Sequence, residues 1–308
     1  MITFSNLGRR GMNLGNQLFQ IAALTGFSEK YNCDLKFPPW KYSDYFLFPP
    51  TQGNVPTELF IEEPAYNYTP DFWDKYACDF RTKNVDILGW LQSEKNWLNC
   101  KKKVRELFHF KEEFENELRK RFAKAFRKET IAISIRRGDF ITNPNFYLLP
   151  LEYYLGALIR YFPGYKEKNI IIFSDDLPYC KHSIRRLPNV YFADGLNDIE
   201  QLCGMSLCDH YIISNSSFSW WGGWLGEKDG TSIVRSPYQL AGDYLKSFNT
   251  KDYYPERWNV YDHLQEPIDV NGLLASKSRM KYYEALHVCY KRMKQVKKKI
   301  KVKKALKK

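Results

Sequence analysis

Along the chain, short runs of consecutive apolar residues alternate with longer stretches in which apolar residues recur every three or four positions. The first run, residues 1–4, predicts a short strand. A glycine-rich turn with Gly8, Gly11 and Gly15 follows. Leu18, Ile21, Ala22 and Leu24 then share one face of a helix that starts at about Asn16. Asn13 or Asn16 is placed to cap it. Residues 34–37 predict a second strand, stopped by Pro38 and Pro39, which lack backbone donors. From about 40 to 80 the chain is rich in Tyr, Phe, Trp and Pro without a period, which predicts loops and short elements. A strand is predicted over 87–90, leading into Gln92, Ser93, Glu94 and Lys95. A charged helical pattern fills roughly 97–127.

The second half is more regular. Apolar runs at 131–135, 170–173, 190–192, 211–213 and 232–234 predict strands, with helical patterns such as 152–162 and 198–208 between them. Strands spaced in this way with helices between them predict a parallel sheet covered on both faces. In such sheets ligands bind outside the carboxyl ends of the strands, and the polar clusters of this chain fall at those ends.

Composition adds that the chain is globular: hydrophobic residues make up 44% and aromatics 17%. Each aromatic is more readily core than sugar platform. The net charge of +12 is local. Residues 277–308 hold fourteen Lys and Arg against Glu284, so the remainder is close to neutral at −1. In that tail Leu286, Cys289, Met293, Val296 and Ile300 fall on one stripe, which predicts a basic amphipathic helix suited to an anionic membrane surface. A solvated tail and a polyanion-binding tail are the alternatives. The seven cysteines show no C-x-x-C spacing and read as reduced thiols. With no signal-peptide pattern and no run of 18 apolar residues, the expected location is the cytoplasm, at most peripheral at the inner face of a membrane.

Four segments carry candidate chemistry. The strand over 131–135 delivers Arg136 and Arg137 to its carboxyl end, followed by Gly138 and Asp139. Arginine suits bidentate phosphate contact, while the alternative is a surface ion-pair cluster. The strand over 211–213 leads through Ser214 and Asn215 to Ser216 and Ser217, either of which caps the next helix. The N–H groups of that first turn form an anion site. Trp220, Trp221 and Trp224 behind them read as core. The strand over 170–173 ends in Asp175 and Asp176. A carboxylate there either accepts the N–H groups of a guanine edge or, in the case of Asp176, caps the turn before Pro178. The glycine-rich start is by itself a weak phosphate-loop signal. No Asp-x-Asp and no histidine ligand spacing occurs, so no metal or other cofactor is expected.

Together these segments resemble glycosyltransferase family 11, the α-1,2-fucosyltransferases. The family's G-x-L-G-N-Q-x-F-Q-like start is matched at 12–20, and its G-x-x-Q-S-E-K at 89–95. Its H-x-R-R-G-D-Y is matched at 134–140, F-S-D-D at 173–176, and S-N-S-S/T-F-S-W-W at 214–221. The matched segments keep the family's order over 12–226. The resemblance implies an α/β, GT-B-like fold of two Rossmann-like halves with the donor at the cleft, plus the basic C-terminal helical tail. The corresponding division is an N-terminal acceptor-side half, 1–127, a GDP-fucose-binding half, 128–265, and the tail, 266–308. It also implies metal-independent, inverting transfer of L-fucose from GDP-fucose to the 2-hydroxyl of a glycan acceptor, by family default a terminal galactose, with no nucleic-acid partner. Carried over residue by residue, Arg136 meets the donor β-phosphate and Asn16 enters the cleft beside Gly15 and Gln17. Ser134, Arg137, Asp175, Asp176, Asn215, Ser216, Ser217 and Phe218 surround the donor. Ser134 departs from the motif, which has His there.

In this reading a fixed guanidinium and helix-terminus N–H groups stabilise the departing diphosphate in place of a metal. Asp139 is either the base or the group that orients an arginine, with a slight preference for the second. The aromatic stretch at 40–80 is expected to furnish the acceptor pocket. Two rival functions are another GDP-sugar transferase, such as a protein O-fucosyltransferase, and a polyanion-binding protein driven by the tail. The neutral body speaks against the second.

Overall fold

The computed structural model describes residues 1–9, 12–64, 68–276, 278–283, 285, 286 and 289. Gly11 and the tail residues Met293, Val296 and Ile300 lie outside the described residues.

The chain opens with β1 (Ile2–Thr3) and α1 (Leu14–Tyr31), then β2 (Leu59–Glu62), α2 (Pro70–Asp74), α3 (Ala77–Thr82) and β3 (Val85–Leu88). Two helices, α4 (Lys101–Leu107) and α5 (Glu112–Arg121), lead into β4 (Thr130–Ile135). From there strand and helix alternate: α6 (Leu151–Tyr161), β5 (Asn169–Ser174), α7 (Leu177–Ser183), β6 (Val190–Phe192), α8 (Asp198–Ser206), β7 (His210–Ile213), α9 (Ser217–Gly226) and β8 (Ile233–Arg235). The last described elements in this series are α10 (Gly242–Ser247) and β9 (Asn259–Val260).

Two parallel sheets result. The first has the order β1-β3-β2 and the second β6-β5-β4-β7-β8-β9. In the second the chain starts at the centre with β4, moves outward to β6, then crosses back to continue from β7 on the other side. All six residues of β4 and all six of β5 are buried, as expected of strands covered on both faces. Their side chains alternate between two cores. Ile131, Ile133 and Ile135 pack under α6 with Tyr153 and Tyr154, while Ala132, Ile171 and Phe173 join the core that continues into the first half. That larger core contains Phe19 of α1, Trp97, and Trp220, Trp221 and Trp224 of α9. The tryptophans are core, as their apolar setting predicts.

Gly15 is what allows the two halves to close on one another at this point. A Cβ there would lie 2.5 Å from the backbone N of Phe218, so the first turns of α1 and α9 touch through backbone alone. The whole is an α/β architecture of two parallel sheets, one in each half, with a cleft between the halves.

Three expectations change. The continuous helix over 97–127 is broken, because Phe108 and Phe110 turn inward. Phe108 packs edge-on to Trp221 and Phe110 stacks on Phe46. The strand over 34–37 shrinks to single bridges, Ile2 with Leu35 and Phe37 with Gln52, beside two prolines that have no N–H to offer. Helix α1 starts at Leu14, two residues earlier than its apolar period shows. Asn13 is its N-cap residue, but its side chain makes no capping hydrogen bond.

Candidate functional site

The second sheet has the strand order in which the chain reverses direction between its first and fourth strands, here β4 and β7. Loops leaving two adjacent parallel strands toward opposite sides open a crevice at their carboxyl ends. The segments after β4, β5, β7 and β8 all reach it. From the first half, Asn13 and Asn16 at the start of α1 and Trp90 and Gln92 after β3 face it from across the cleft. The cleft has two chambers that share Arg136, Ser216 and Phe218. One, of about 210 Å³, lies between the halves. The other, of about 140 Å³, lies over the ends of β4 and β5, beside Ser134, Ser174 and Asp175.

The two arginines have separate tasks. Arg136 lines both chambers. Its Nε donates to Asp139 Oδ1 at 3.0 Å, Nη2 donates to the same oxygen, and Nη1 lies 3.2 Å from Asp175 Oδ2. Two carboxylates thus fix the guanidinium while its face remains at the cleft. Arg137 turns into the protein. It is buried, pairs through Nε with Asp176 Oδ2 at 3.0 Å, and lies 3.3 Å over the Tyr179 ring. Asp176 is buried as well and also caps α7, accepting from the Tyr179 N–H. Of the two readings of Asp176, the structure shows the cap. Asp175 faces the smaller chamber and holds the loop after β4 through the Arg137 N–H at 2.9 Å.

Asn16 joins three of the motif segments. Its Oδ1 accepts from Ser217 Oγ at 2.7 Å and from Gln92 Nε2 at 2.8 Å. Its neighbours point elsewhere because a helix turns about 100° per residue. Gly15 faces α9, and Gln17 is buried between the Met12 carbonyl, to which it donates, and the Trp40 indole N–H, from which it accepts. Gly15 and Gln17 therefore stand behind the cleft wall.

Ser216 is the N-cap of α9, accepting from the Ser219 N–H. Its hydroxyl also belongs to a buried cluster with Ser134, Ser214 and Ser219. Ser134 lies 2.7 Å from Ser219 Oγ, which lies 2.6 Å from Ser214 Oγ. Ser134 thereby ties β4 to α9 beside the smaller chamber. Asn215 donates both amide hydrogens to backbone, to the carbonyls of Tyr147 and Gln239, each at 2.8 Å. The starts of α1 and α9 both point into the cleft, so two helix dipoles add positive potential next to Arg136.

The 89–95 segment is a clasp. Glu63 accepts the Trp90 and Leu91 N–H groups at 2.8 and 3.2 Å, and burial pushes its carboxyl up to about 7. Glu94 meets Arg257 and the Trp224 indole, and Lys95 pairs with Asp252 at 2.6 Å.

Among the described residues, the aromatic stretch at 40–80 does not line the cleft. Trp40 and Phe46 stack on each other as core. The described aromatics that do line it are Trp90, Phe140, Phe146, Phe173, Phe218, Tyr244, Phe248 and Tyr253. Apart from Phe218, these and Gln92, Gln239 and Leu240 escape the sequence reading. Trp90, Gln92, Phe140 and Phe173 sit inside quoted motifs, and Gln239 follows a predicted strand end, so position was the available signal. Among the described residues no group of three or more His, Cys, Asp or Glu is placed to hold a metal ion, and no helix is long and apolar enough to cross a membrane.

The model of glycosyl transferase family 11 matches residues 8–262. An alpha-1,2-colitosyltransferase of Escherichia coli is 27% identical over 287 residues, covering 82% of this chain and 97% of that protein. The O-antigen biosynthesis glycosyltransferase WbnK, also of Escherichia coli, is 37% identical over 123 residues, 37% of this chain and 40% of that one. Among solved structures, fucosyltransferase NodZ from Bradyrhizobium aligns with a TM-score of 0.43 at 14% identity, covering 72% of this chain and 92% of that one. The apo form of POFUT1 aligns at 0.49 and 12%, covering 76% and 97%.

Proposed function

The chain belongs to glycosyltransferase family 11, and we propose that it moves L-fucose from GDP-fucose to the 2-hydroxyl of a glycan acceptor, a terminal galactoside by preference, with inversion at the anomeric carbon. The supporting observation is the meeting of Arg136, the Ser216–Ser217 turn of α9 and Asn16 of α1 in one cleft. A guanidinium clamped by two carboxylates, beside two helix N-termini, is a preorganised receptor for a diphosphate. In this reading the nucleoside occupies the smaller chamber, where Asp175 offers a carboxylate to the guanine N–H groups. The diphosphate lies at Arg136, and the sugar enters the larger chamber.

The bond from the anomeric carbon to the β-phosphate oxygen then breaks, and its electron pair leaves with GDP. Arg136 and the helix termini meet the growing charge, which asks for no divalent ion. The acceptor hydroxyl bonds to the opposite face of the carbon and loses its proton to solvent; a loose transition state needs little help from a base. Asp139 commits Oδ1 to two guanidinium N–H groups, which supports the orienting role. Activity is expected to persist in EDTA.

A second reading of the donor is favoured by one observation. The relative aligned over 97% of its length is an alpha-1,2-colitosyltransferase. Colitose is fucose without its 3-hydroxyl, so one anion site serves either GDP-sugar. The test incubates the protein with GDP-fucose and with GDP-colitose over a galactoside panel, reading mass by spectrometry and linkage by NMR. Transfer from a UDP-sugar alone, or a linkage to an oxygen other than O2, overturns the proposal.

A further inference from the structure

We propose that the outer wall of the larger chamber, Gln239 with Phe146, Tyr244 and Phe248, is the subsite for the acceptor sugar, and that Gln239 Oε1 takes a hydroxyl hydrogen from it. The inference rests on the cleft being a glycosyl-transfer site.

The wall leads away from Arg136 in measured steps. The Arg136 guanidinium lies 5.6 Å from the Phe140 ring centre, and Phe140 stacks on Phe146 at 4.4 Å. Phe146 meets Tyr244 at 5.9 Å, and Tyr244 meets Phe248 at 5.0 Å. Arg136 meets the first ring of this series, and the later rings line the same chamber, where a second molecule can rest on them. Ring faces take the C–H face of a pyranose, while its hydroxyls need polar partners.

Gln239 supplies such a partner. It lines the chamber, is buried to 6% exposure, and its Oε1 has no hydrogen-bond partner within the described structure. A buried carbonyl oxygen left without a donor is costly, and a sugar hydroxyl satisfies it. The segment carrying it is built to stay in place. Asn215 grips the Gln239 carbonyl, and the Ala241 N–H donates to Asn145 O at 2.8 Å. Gly242, at φ +52, starts α10 where a Cβ would lie 2.7 Å from Asn145 Oδ1. Only glycine fits this turn, so the wall is fixed to the 144–147 segment. The loss of an acceptor hydroxyl should thus be felt through Gln239 specifically.

The experiment compares wild type with Gln239→Leu and Tyr244→Ala. Helix α10 has no buried residue, so the second variant leaves the core intact. GDP affinity by calorimetry should match wild type in both, which also reports folding. Acceptor KM should rise roughly tenfold or more in each. In a monodeoxy-acceptor series that keeps the reacting 2-hydroxyl, one analogue should lose activity with wild type, and that loss should vanish in Gln239→Leu. If every monodeoxy acceptor loses the same factor in wild type and Gln239→Leu, the assignment of Gln239 is overturned. If the coupling is instead to a deoxygenated donor sugar, the wall belongs to the donor and the acceptor assignment is overturned. Failure of wild type to bind GDP or to use any GDP-sugar refutes the functional reading itself, and this subsite with it.

Discussion

Ser217 donates its hydroxyl to Asn16 Oδ1 at 2.7 Å, joining residues 201 positions apart. The bond spans the cleft at the point where the first turns of α1 and α9 touch through Gly15. Gln92 donates to the same oxygen, so one side-chain carbonyl aligns three segments around Arg136. Its importance should therefore lie in positioning.

Asn16→Ala should lower kcat/KM roughly tenfold to a hundredfold, because it leaves two donors without their shared acceptor. Ser217→Ala should cost less, and the double variant should cost less than the two combined, since both act through one bond. Steady-state kinetics on the four proteins checks this. Strict additivity would show that the bond does not couple the halves.

What the sequence disclosed here, and what it withheld, follows from how each feature is encoded. Strands β4, β5 and β7 are continuous apolar runs because both their faces are covered, and the polar residues after them mark the cleft. The three neighbours Gly15, Asn16 and Gln17 could not be told apart, because a helix separates their directions and its first turn precedes the apolar period. Asn16 reaches the cleft, Gly15 the α9 backbone, and Gln17 the Trp40 indole. Phe108 and Phe110 look like helix positions, yet their rings find partners in a distant core and break the helix. Gln239 and Tyr244 belong to no motif; only the placement of 239–248 against 144–147 makes them a wall.

Replacing each arginine should separate catalysis from stability. Arg136→Ala should reduce transfer about 10²- to 10³-fold with little change in melting temperature, since its charge faces the cleft. Arg137→Ala should lower the melting temperature by several degrees, because it removes the cation that faces the buried Asp176 carboxylate, a loss of about 3–5 kcal/mol. Thermal melts beside single-turnover assays distinguish the two. A stable Arg137→Ala protein would show that Asp176 finds another partner.

Glu63 should impart a pH dependence to stability. Burial raises its carboxyl to about 7, so the folded state holds the proton more tightly than the unfolded one. The stabilisation is complete below the ordinary glutamate value of about 4.3 and is lost as pH rises through 7. Glu63→Gln keeps an oxygen for the Trp90 and Leu91 N–H groups but cannot titrate. Urea midpoints of the two proteins should differ in slope between pH 5 and 8, with wild type losing stability relative to the variant. Parallel curves would place the Glu63 titration outside this window.

GDP should stabilise the protein more than UDP does. A ligand at about 100 times its dissociation constant adds about 2.7 kcal/mol, which for a chain of this size should raise the melting temperature by roughly 4 °C. The difference between nucleotides should shrink in Asp175→Asn, whose amide no longer offers a full carboxylate to guanine. Equal shifts for GDP and UDP in wild type would remove Asp175 from base recognition.

The basic tail should divide at about residue 290. Tyr283 stacks on His182 of α7 at 3.9 Å, and both rings border a cavity of about 440 Å³ that Asp175 and Asp176 also line. This part of the chain is thus attached to the back of the smaller chamber, through the helix that Asp176 caps. Residues 291–308 hold eleven Lys and Arg and no acid. Near anionic lipid each such residue contributes about 1 kcal/mol, so this stretch carries the membrane affinity if the tail is an anchor. Deleting 291–308 should leave GDP affinity and transfer to a soluble acceptor intact and abolish sedimentation with phosphatidylserine vesicles at moderate salt. Deleting 277–308 should in addition weaken GDP several-fold, because it removes the Tyr283 wall beside Asp175. Vesicle binding that survives the shorter deletion would place the anchor elsewhere. Unchanged GDP affinity after the longer one would show that the tail stands apart from GDP binding along its whole length.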